Sequence, residues 1–292
     1  MDKIEHPLFN VPNKDTYPPF KNGLYMEEYF LDFVIKNHIW YDRDGRLYIP
    51  VLWTNFQIEH WFEERKTEMQ EVLNQYIREH PCDRGYFTVV QHDDGPRLTL
   101  PENTVVYGAC CGNIQLPLIY EDLDNRLISG INMKTYHEKS ILCSFVGTNT
   151  HYIRGKINDC YRENNRFQLF MKNDWSADLG MGLQDLFRGI TVDSKFSLAP
   201  RGYGRSSFRF FEIFKLGTIP IYVWDDIEWL PYKDIIDYSK ICISINIGDI
   251  EKLEDILLNI DEIKYNEMIE NYRNIKHWFE LDFMCKYIGG SL

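Results

Sequence analysis

The sequence predicts an α/β protein with two α/β domains that face one another across a cleft. Apolar runs of strand length alternate with amphipathic helical stretches along most of the chain, which is typical of parallel sheets with right-handed crossovers. The alternation restarts near residue 139, after a polar stretch at 120–139. We therefore expect a boundary near residue 130, with domains 1–130 and 131–292 and with the final helix packing back on the first domain.

The composition indicates an ordinary folded protein, because 44% of the 292 residues are hydrophobic and 26% are charged, without low-complexity tracts. The net charge of −12 argues against a general nucleic-acid binder, since backbone phosphates are bound through clustered Lys and Arg. The sequence shows no apolar stretch with the length of a signal-peptide core or a membrane span. We expect a soluble, cytosolic protein.

The cysteines, seven in number, fall mostly inside apolar segments, which favours buried free thiols over disulfides. The sequence contains no Cys-x-x-Cys pair or Cys/His cluster that would indicate a zinc site. The cysteines are Cys82, Cys110, Cys111, Cys143, Cys160, Cys242 and Cys285.

In the first half, an irregular arm rich in Pro, Asn and aromatic residues leads into a predicted helix near 26–37. An Asp-Gly turn then precedes an apolar run at 46–54, which we predict to be a strand. Residues 55–80 have apolar side chains at helical spacing and Asn55 is a suitable N-cap, so one long helix is expected. The remaining apolar runs of this half, also predicted as strands, are 85–91 and 103–111.

The second half repeats the alternation more regularly. It begins with a buried apolar run that predicts a strand at 139–148. The elements expected after it are helix 151–164, strand 166–172, helix 176–189, strand 194–200, helix 205–217, strand 218–224 and strand 240–247. Two polar amphipathic helices, 249–259 and 262–280, are expected to close the chain.

The turn between strand 194–200 and helix 205–217 has the composition of an anion site. In parallel sheets, ligands bind where strands end and helices begin, because backbone N–H groups and the helix dipole point there. Glycines allow close backbone approach, serines can cap the helix, and arginines bring positive charge into an acidic chain. The residues concerned are Pro200, Arg201, Gly202, Gly204, Arg205, Ser206, Ser207 and Arg209.

Arg209 and Glu212 are three residues apart and therefore share a helix face. A phosphate or diphosphate fits beside Arg209, and Glu212 then stands one turn beyond it, where a carboxylate accepts hydrogen bonds from ribose hydroxyls. The alternative is that the two residues form a surface ion pair and that the glycines only make a turn. The loop is neither a Gly-Lys-Ser/Thr phosphate loop nor a Gly-x-Gly-x-x-Gly turn.

Residues 194–223 resemble the nucleotide-sugar-binding region of exostosin-type glycosyltransferases, whose pattern includes Pro-x-Gly, Ser-x-Arg-Leu-Phe-Asp/Glu and Gly-x-Ile-Pro-Val. Two other segments are similar to that family. Residues 139–157 contain its Ser-Phe-x-Gly followed by an Arg, and residues 86–96 resemble the His-Asp-Trp-Gly-Pro segment of plant members. The matching residues of the main motif are Pro200, Gly202, Ser207, Arg209, Phe211, Glu212, Gly217, Ile219 and Pro220.

The resemblance implies a GT-B fold of two Rossmann-like domains, with an acceptor-side first domain, a nucleotide-sugar-binding second domain, and sugar transfer with inversion at the anomeric carbon. By position it places Gly147 and Arg154 at the donor site, Arg209 at the diphosphate and Glu212 at the ribose. Ala199 and Tyr203 depart from the family pattern, where a Cys and an Asp are common. The sequence also lacks the membrane anchor usual in Golgi members, so we expect a soluble enzyme of microbial or viral origin.

Inverting transfer needs a base that takes the proton of the acceptor hydroxyl and cationic groups that stabilise the departing diphosphate. Asp93 occupies the Asp of the family's His-Asp pair and is our first candidate for the base. His92 and Asp94 are the next catalytic candidates. Asp94 stands where the plant pattern has Trp. An Asp-Asp-Gly-Pro turn without a catalytic role accounts for the same residues.

The loop from Trp224 to Tyr232 follows a strand at the expected cleft edge, and we interpret it as a wall for the donor or acceptor. Its acidic residues can bind sugar hydroxyls, or they can simply be solvated. They are Asp225, Asp226 and Glu228.

Two other functions are left open by the sequence. The pairs Asp42 with Asp44 and Asp122 with Asp124 satisfy the Asp-x-Asp pattern with which metal-dependent glycosyltransferases chelate Mn²⁺ or Mg²⁺ on a diphosphate. A non-catalytic nucleotide-sugar or glycan-binding subunit is the other alternative. For an enzyme we expect a UDP-sugar donor, first UDP-xylose, with UDP-galactose, UDP-glucuronate and UDP-N-acetylglucosamine open. A glycan or glycoprotein acceptor and no required cofactor or metal complete the expectation.

Overall fold

The computed structural model describes residue 4, residues 6–11 and residues 17–291. These residues form two compact units. The first unit comprises residues 24–121 and 278–291 with the described residues before 12, and the second comprises residues 17–23 and 122–277. Each unit contains a parallel sheet, so the predicted α/β class with parallel sheets is confirmed.

The first unit is built on four short strands that pair in parallel. Its elements up to residue 121 are α1 (Met26–Asn37), β1 (Leu47–Tyr48), α2 (Trp53–Gln57), α3 (Phe62–Glu79), β2 (Tyr86–Val90), β3 (Thr104–Gly108) and β4 (Ile114–Gln115). The strand order is β1-β2-β3-β4. β2 is buried along its whole length, and the Thr88 hydroxyl accepts a hydrogen bond from Trp53 and donates one to the Ile49 carbonyl.

The stretch 55–80 forms two helices, α2 and α3, rather than the single helix expected. Asn55 lies inside α2 instead of capping a helix. Its side-chain amide donates to Glu28 and to the Val11 carbonyl, each at 2.9 Å. Contacts with residues distant in sequence therefore hold Asn55 here, and a local pattern of apolar residues does not report them.

The second unit contains five strands in one parallel sheet. Its elements are β5 (Ile141–Thr148), α4 (Tyr152–Tyr161), β6 (Phe167–Lys172), α5 (Met181–Asp193), β7 (Ser194–Pro200), α6 (Phe208–Lys215), β8 (Ile219–Trp224), β9 (Ile243–Asn246), α7 (Leu253–Leu258) and α8 (Glu262–Ile275). The strand order is β6-β5-β7-β8-β9. Apolar side chains of the strands and of α4, α7 and α8 form the core, among them Phe145, Ile153, Phe196, Ile221 and Met268.

The direction of the crossovers changes between β5 and β7. β6 follows β5 in sequence and lies on one side of it, whereas β8 follows β7 and lies on the other side. β5 pairs with β7 from Ile141 to Ser144, and its later residues up to Thr148 continue the pairing with β6. The loops after β5 and β7 thus leave in opposite directions, which is the arrangement that creates a ligand crevice at the carboxyl edge of an open sheet.

The structure has one more helix after residue 280 than the sequence predicted. The helix expected over 262–280 stops at Ile275, and a short 3₁₀ segment leads to α9 (Leu281–Gly289). α9 contacts α1, and both helices belong to the first unit. The buried residues of α9 recur at the spacing of one helix face, and this pattern in the sequence indicates an amphipathic helix. They are Leu281, Met284, Cys285 and Ile288.

Other element boundaries also differ from those expected. The strand predicted at 46–54 is only Leu47–Tyr48, and Trp53 already begins α2. The helix placed at 176–189 is α5, which begins later and runs to Asp193, and the stretch 249–259 starts as 3₁₀ helix before α7. Among the described residues, no helix is both long and apolar enough to cross a membrane. Four cysteines, Cys110, Cys143, Cys242 and Cys285, are buried as expected, but Cys160 is exposed.

Candidate functional site

The crevice edge between β5 and β7 brings together most of the residues that the sequence assigned to a donor site. β5 supplies Gly147 and leads to Arg154 on α4, while β7 ends at Pro200 and leads to Arg201 and Gly202. All five belong to the second unit. The sequence segments are about 50 residues apart, but parallel neighbours end at the same edge of the sheet.

Arg154 joins the ends of the two strands. Its Nη1 donates to the Thr148 carbonyl at 2.7 Å, its Nη2 to the Pro200 carbonyl at 3.1 Å and its Nε to the Arg201 carbonyl at 3.2 Å. Burial lowers the pKa of Arg154 to about 10; the Tyr17 hydroxyl opposes this effect. Arg154 therefore holds the loop that follows β7 in place through backbone carbonyls.

Two of the glycines predicted at this edge, Gly147 and Gly202, have different local roles. A Cβ on Gly202 would lie 3.2 Å from Arg154 Nη2 and 3.4 Å from Thr150 Oγ1, so glycine lets the loop approach the guanidinium closely. A Cβ on Gly147 would lie 2.6 Å from the ring of Phe145. The centroid of that ring lies 5.6 Å from the Arg154 guanidinium carbon. Glycine at position 147 therefore leaves room for the ring that packs against Arg154.

α6 starts directly beyond this loop. Ser207 holds the N-cap position, as expected for Ser206 or Ser207, with an extended backbone. Its side chain makes no capping hydrogen bond to the described residues, and the first turn of α6 has no acidic residue. Both serines are largely buried. The positive end of the α6 dipole is therefore not neutralised by an acidic residue of its own first turn.

Arg209 and Glu212 form the ion pair that the sequence left open as an alternative to ligand binding. Arg209 Nη1 and Glu212 Oε2 are 3.4 Å apart. The pair is not on the open surface, because the Glu212 side chain is 4% exposed and that of Arg209 is 19% exposed. The Arg209 guanidinium also lies over the Phe187 ring, 3.9 Å from its centroid. The direction of the Arg209 side chain is thus fixed, and Arg209 lies in the N-terminal turn of α6.

Arg201 and Arg205 are paired with carboxylates of the loop after β8. Arg201 Nη1 lies 2.8 Å from Asp225 and 2.7 Å from Asp226, and Arg205 Nε lies 2.8 Å from Asp226. Burial raises the pKa of Asp226, but the Ile227 N–H and the two guanidinium groups outweigh it and lower that pKa to about 2. Much of the positive charge expected at the loop is therefore already compensated within the protein.

The remaining acidic candidate after β8 is also engaged. Glu228 accepts hydrogen bonds from Ser244 and Lys233, and Trp224 donates to Ser244 at 3.0 Å. These contacts hold the loop that follows β8 to β9. Sequence reasoning missed His151, the N-cap of α4, whose Nε2 lies 3.9 Å from Asp225. Burial lowers the pKa of His151, and the Arg201 charge adds to that effect.

The base candidate lies in the first unit, in a turn directly after β2. Gly95 has a φ of 72° and donates its N–H to the His92 carbonyl at 3.0 Å. His92 Nδ1 accepts the Asp94 N–H at 3.2 Å, and burial lowers the pKa of His92. Asp93 and Asp94 are exposed. The stretch is a turn, as its sequence suggests, and the turn presents Asp93 at the carboxyl end of a buried strand.

Two residues that the sequence did not single out hold this turn at both ends. Gln57 donates to the Gly95 carbonyl at 2.9 Å and accepts the Arg97 N–H at 2.7 Å. Glu27 accepts the Gln91 N–H at 2.5 Å and two hydrogen bonds from Thr54. Burial raises the pKa of Glu27 to about 7, although these hydrogen bonds lower it.

The first Asp-x-Asp pattern builds a turn. Asp42 is buried and accepts from the Asp44 and Arg46 backbone, from the Arg46 guanidinium at 3.0 Å and from the Tyr107 hydroxyl at 3.1 Å. Asp44 pairs with the same guanidinium.

The second Asp-x-Asp pattern is used in the same way. The two oxygens of Asp122 accept the Arg126 and Leu127 N–H groups at 2.7 and 2.9 Å, and Asp124 accepts from Asn22 at 2.5 Å. Within the described residues, no group of three or more His, Cys, Asp and Glu side chains is arranged to hold a metal ion.

Comparison with known proteins points to one family. A model of the exostosin GT47 domain matches residues 112–260, just over half of the chain and most of the second unit. The exostosin-1 homolog of Caenorhabditis elegans is 26% identical over 115 residues, which are 39% of this chain and 30% of that protein. An Arabidopsis thaliana protein named as a probable glycosyltransferase is 24% identical over 162 residues, 56% of this chain and 32% of that protein.

A second Arabidopsis thaliana relative is named as a probable arabinosyltransferase. It is 28% identical over 152 residues, 50% of this chain and 33% of that protein. The chain therefore matches about a third of the length of these curated relatives.

Proposed function

The chain belongs to the exostosin GT47 family, and from this premise we propose that it is an inverting glycosyltransferase. It moves a sugar from a UDP-sugar to a hydroxyl group of a glycan or glycoprotein acceptor. The observation that carries the proposal is the carboxyl edge of the second sheet, inside the matched region. There the loop held by Arg154 meets the N-terminal turn of α6, which contains Arg209.

The proposal assigns the donor diphosphate to Arg209 and to the backbone N–H groups at the start of α6. A helix N-terminus and a guanidinium both favour negative charge, and the side chain of Ser207 does not cap the helix. Glu212, adjacent to Arg209, is assigned to the ribose. Arg154 and Gly202 keep the loop in the conformation that lets the diphosphate approach.

A pentose is the first sugar that we propose for the donor, and UDP-xylose is the first compound to test. The relative named as an arabinosyltransferase supports a pentose in general, because arabinose and xylose share the same size. UDP-arabinose, UDP-galactose, UDP-glucuronate and UDP-N-acetylglucosamine complete the panel. A ligand that binds the folded state raises its stability, so thermal shifts across the panel rank the donors.

Asp93 is proposed as the base that takes the proton of the acceptor hydroxyl. It is exposed at the end of β2, on a turn fixed by Gln57 and Glu27, which suits a group that must meet an incoming acceptor. We propose that no metal is required, because Arg209 and the positive end of α6 stabilise the leaving diphosphate. Transfer should then persist in EDTA, and a loss of transfer that Mn²⁺ restores would contradict this.

The donor assignment is tested by titrating UDP into the Arg209→Gln variant. Glutamine removes the charge but keeps a donor for the buried Glu212, so the fold should survive. UDP affinity should fall roughly tenfold to a hundredfold, the value of a charge-assisted contact. The matched control is Arg162→Gln, an exposed arginine of the same unit, which should leave the affinity unchanged. Equal affinities in the two variants would refute the assignment.

The catalytic assignment is tested by Asp93→Asn, with Asp83→Asn, at an exposed carboxyl of the same unit, as the control. Asn keeps the size and the hydrogen-bonding reach but cannot accept the proton, so turnover should fall roughly 10²- to 10⁴-fold while UDP affinity stays the same. Asp83→Asn should keep near-normal turnover. If Asp94→Asn or His92→Ala loses turnover while Asp93→Asn does not, the base role moves to that neighbour. A wild-type chain that binds UDP-sugar but neither transfers nor hydrolyses it would instead be a non-catalytic subunit.

A further inference from the structure

Three aromatic side chains lie together at the carboxyl edge of the second sheet. The ring centroids of Tyr17 and Trp175 are 5.6 Å apart, and those of Tyr17 and Phe208 are 6.1 Å apart, both with edge-to-face geometry. Trp175 is 58% exposed, although indole is one of the largest apolar side chains. An exposed Trp beside two other rings is unusual enough on a protein surface to suggest a ligand.

The three aromatic side chains lie next to the residues that we assign to the diphosphate and to its supporting loop. Phe208 is the first residue of α6 and precedes Arg209, and Tyr17 lies close enough to Arg154 to act on its charge. Trp175 follows β6, whereas the carboxylates Asp225 and Asp226 follow β8 on the other side of the crevice. The edge is therefore aromatic on one side of α6 and charged on the other.

We propose that Trp175, together with Tyr17 and Phe208, forms the stacking surface for the nucleobase of the donor. The inference rests on the proposed function, since the diphosphate at Arg209 anchors the nucleotide from which the base extends. A nucleobase presents a flat, uncharged face, and stacking on aromatic side chains is a common way in which proteins hold one. The aromatic side of the edge suits this group better than the carboxylate side, which would oppose its phosphates.

The experiment compares two probes, UDP and inorganic pyrophosphate, by calorimetry on the full chain. Trp175→Ala should weaken UDP binding roughly fivefold to a hundredfold, since stacking contributes on that scale, and should leave pyrophosphate binding unchanged. Trp175→Phe keeps a ring and should retain most of the UDP affinity. Met181→Ala removes another exposed apolar side chain, 80% exposed at the start of α5, and should change neither affinity.

Arg209→Gln separates this inference from the donor assignment, because it should weaken both UDP and pyrophosphate. If wild type binds UDP and Trp175→Ala binds it equally well, the stacking proposal is overturned while the donor site stands. If Trp175→Ala instead raises the KM of the acceptor alone, the ring belongs to the acceptor and the proposal is again overturned. A wild-type chain that binds neither probe would overturn the proposed function together with this inference. Circular dichroism of each variant checks that the fold is retained.

Discussion

Glu27 makes the stability of the first unit depend on pH, and the direction of that dependence follows from its surroundings. Burial raises the pKa of its carboxyl from 4.5 to about 7 in the folded chain. Between these two values the folded state binds a proton that the unfolded state has lost, so stability falls as the pH rises. At about 1.4 kcal/mol per pH unit, the total loss is about 3 kcal/mol.

The test compares wild type with Glu27→Gln by chemical denaturation at several pH values from 4.5 to 8. Glutamine does not titrate, so the free energy of unfolding of wild type relative to the variant should fall by about 3 kcal/mol across this range and then level off above pH 7. Asp32→Asn, which changes an exposed carboxyl on the same helix, should follow the wild-type profile. Parallel profiles for wild type and Glu27→Gln would refute the reasoning, because they would mean that Glu27 titrates alike in both states.

Further predictions concern packing and charge at other positions. Gly108→Ala should lower the free energy of unfolding by more than about 3 kcal/mol or prevent folding, because its Cβ would lie 1.6 Å from the Cys111 carbonyl oxygen. Gly189→Ala, inside α5 with no heavy atom within 4 Å of the new Cβ among the described residues, should stabilise by up to about 1 kcal/mol in thermal denaturation; a loss there would contradict the packing. Asp226→Asn should tighten UDP binding roughly twofold to tenfold by releasing Arg205 from its carboxylate partner, and an unchanged Kd would mean that Arg205 does not face the diphosphate.

Local patterns were sufficient for most of the second unit. Its strands are apolar runs bounded by polar turns, and the motif around Pro200 and Arg209 marks the strand end and helix start where the structure has them. The family match over residues 112–260 agrees with the resemblance carried by the same motif. These features depend on residues close together in sequence, which is why a single sequence reveals them.

Pairings across the fold were not available from the sequence. The ion pairs of Arg201 and Arg205 could not be foreseen, because their partners, the carboxylates after β8, are more than 20 residues away and meet them only when β7 and β8 pair. The role of Glu27 depends on Gln91 in the same way. Backbone carbonyls as the partners of Arg154 are harder still to foresee, since every residue has one.

The three hydrogen bonds of Arg154 have a consequence for the mechanics of the second sheet. Strand pairing joins β5 to β7 from Ile141 to Ser144, and beyond Ser144 the Arg154 guanidinium links the ends of the two strands. A lysine has a single nitrogen and cannot span three carbonyls in one plane. An arginine kept at this position in relatives would therefore reflect the need to link the ends of β5 and β7 at least as much as contact with a sugar nucleotide.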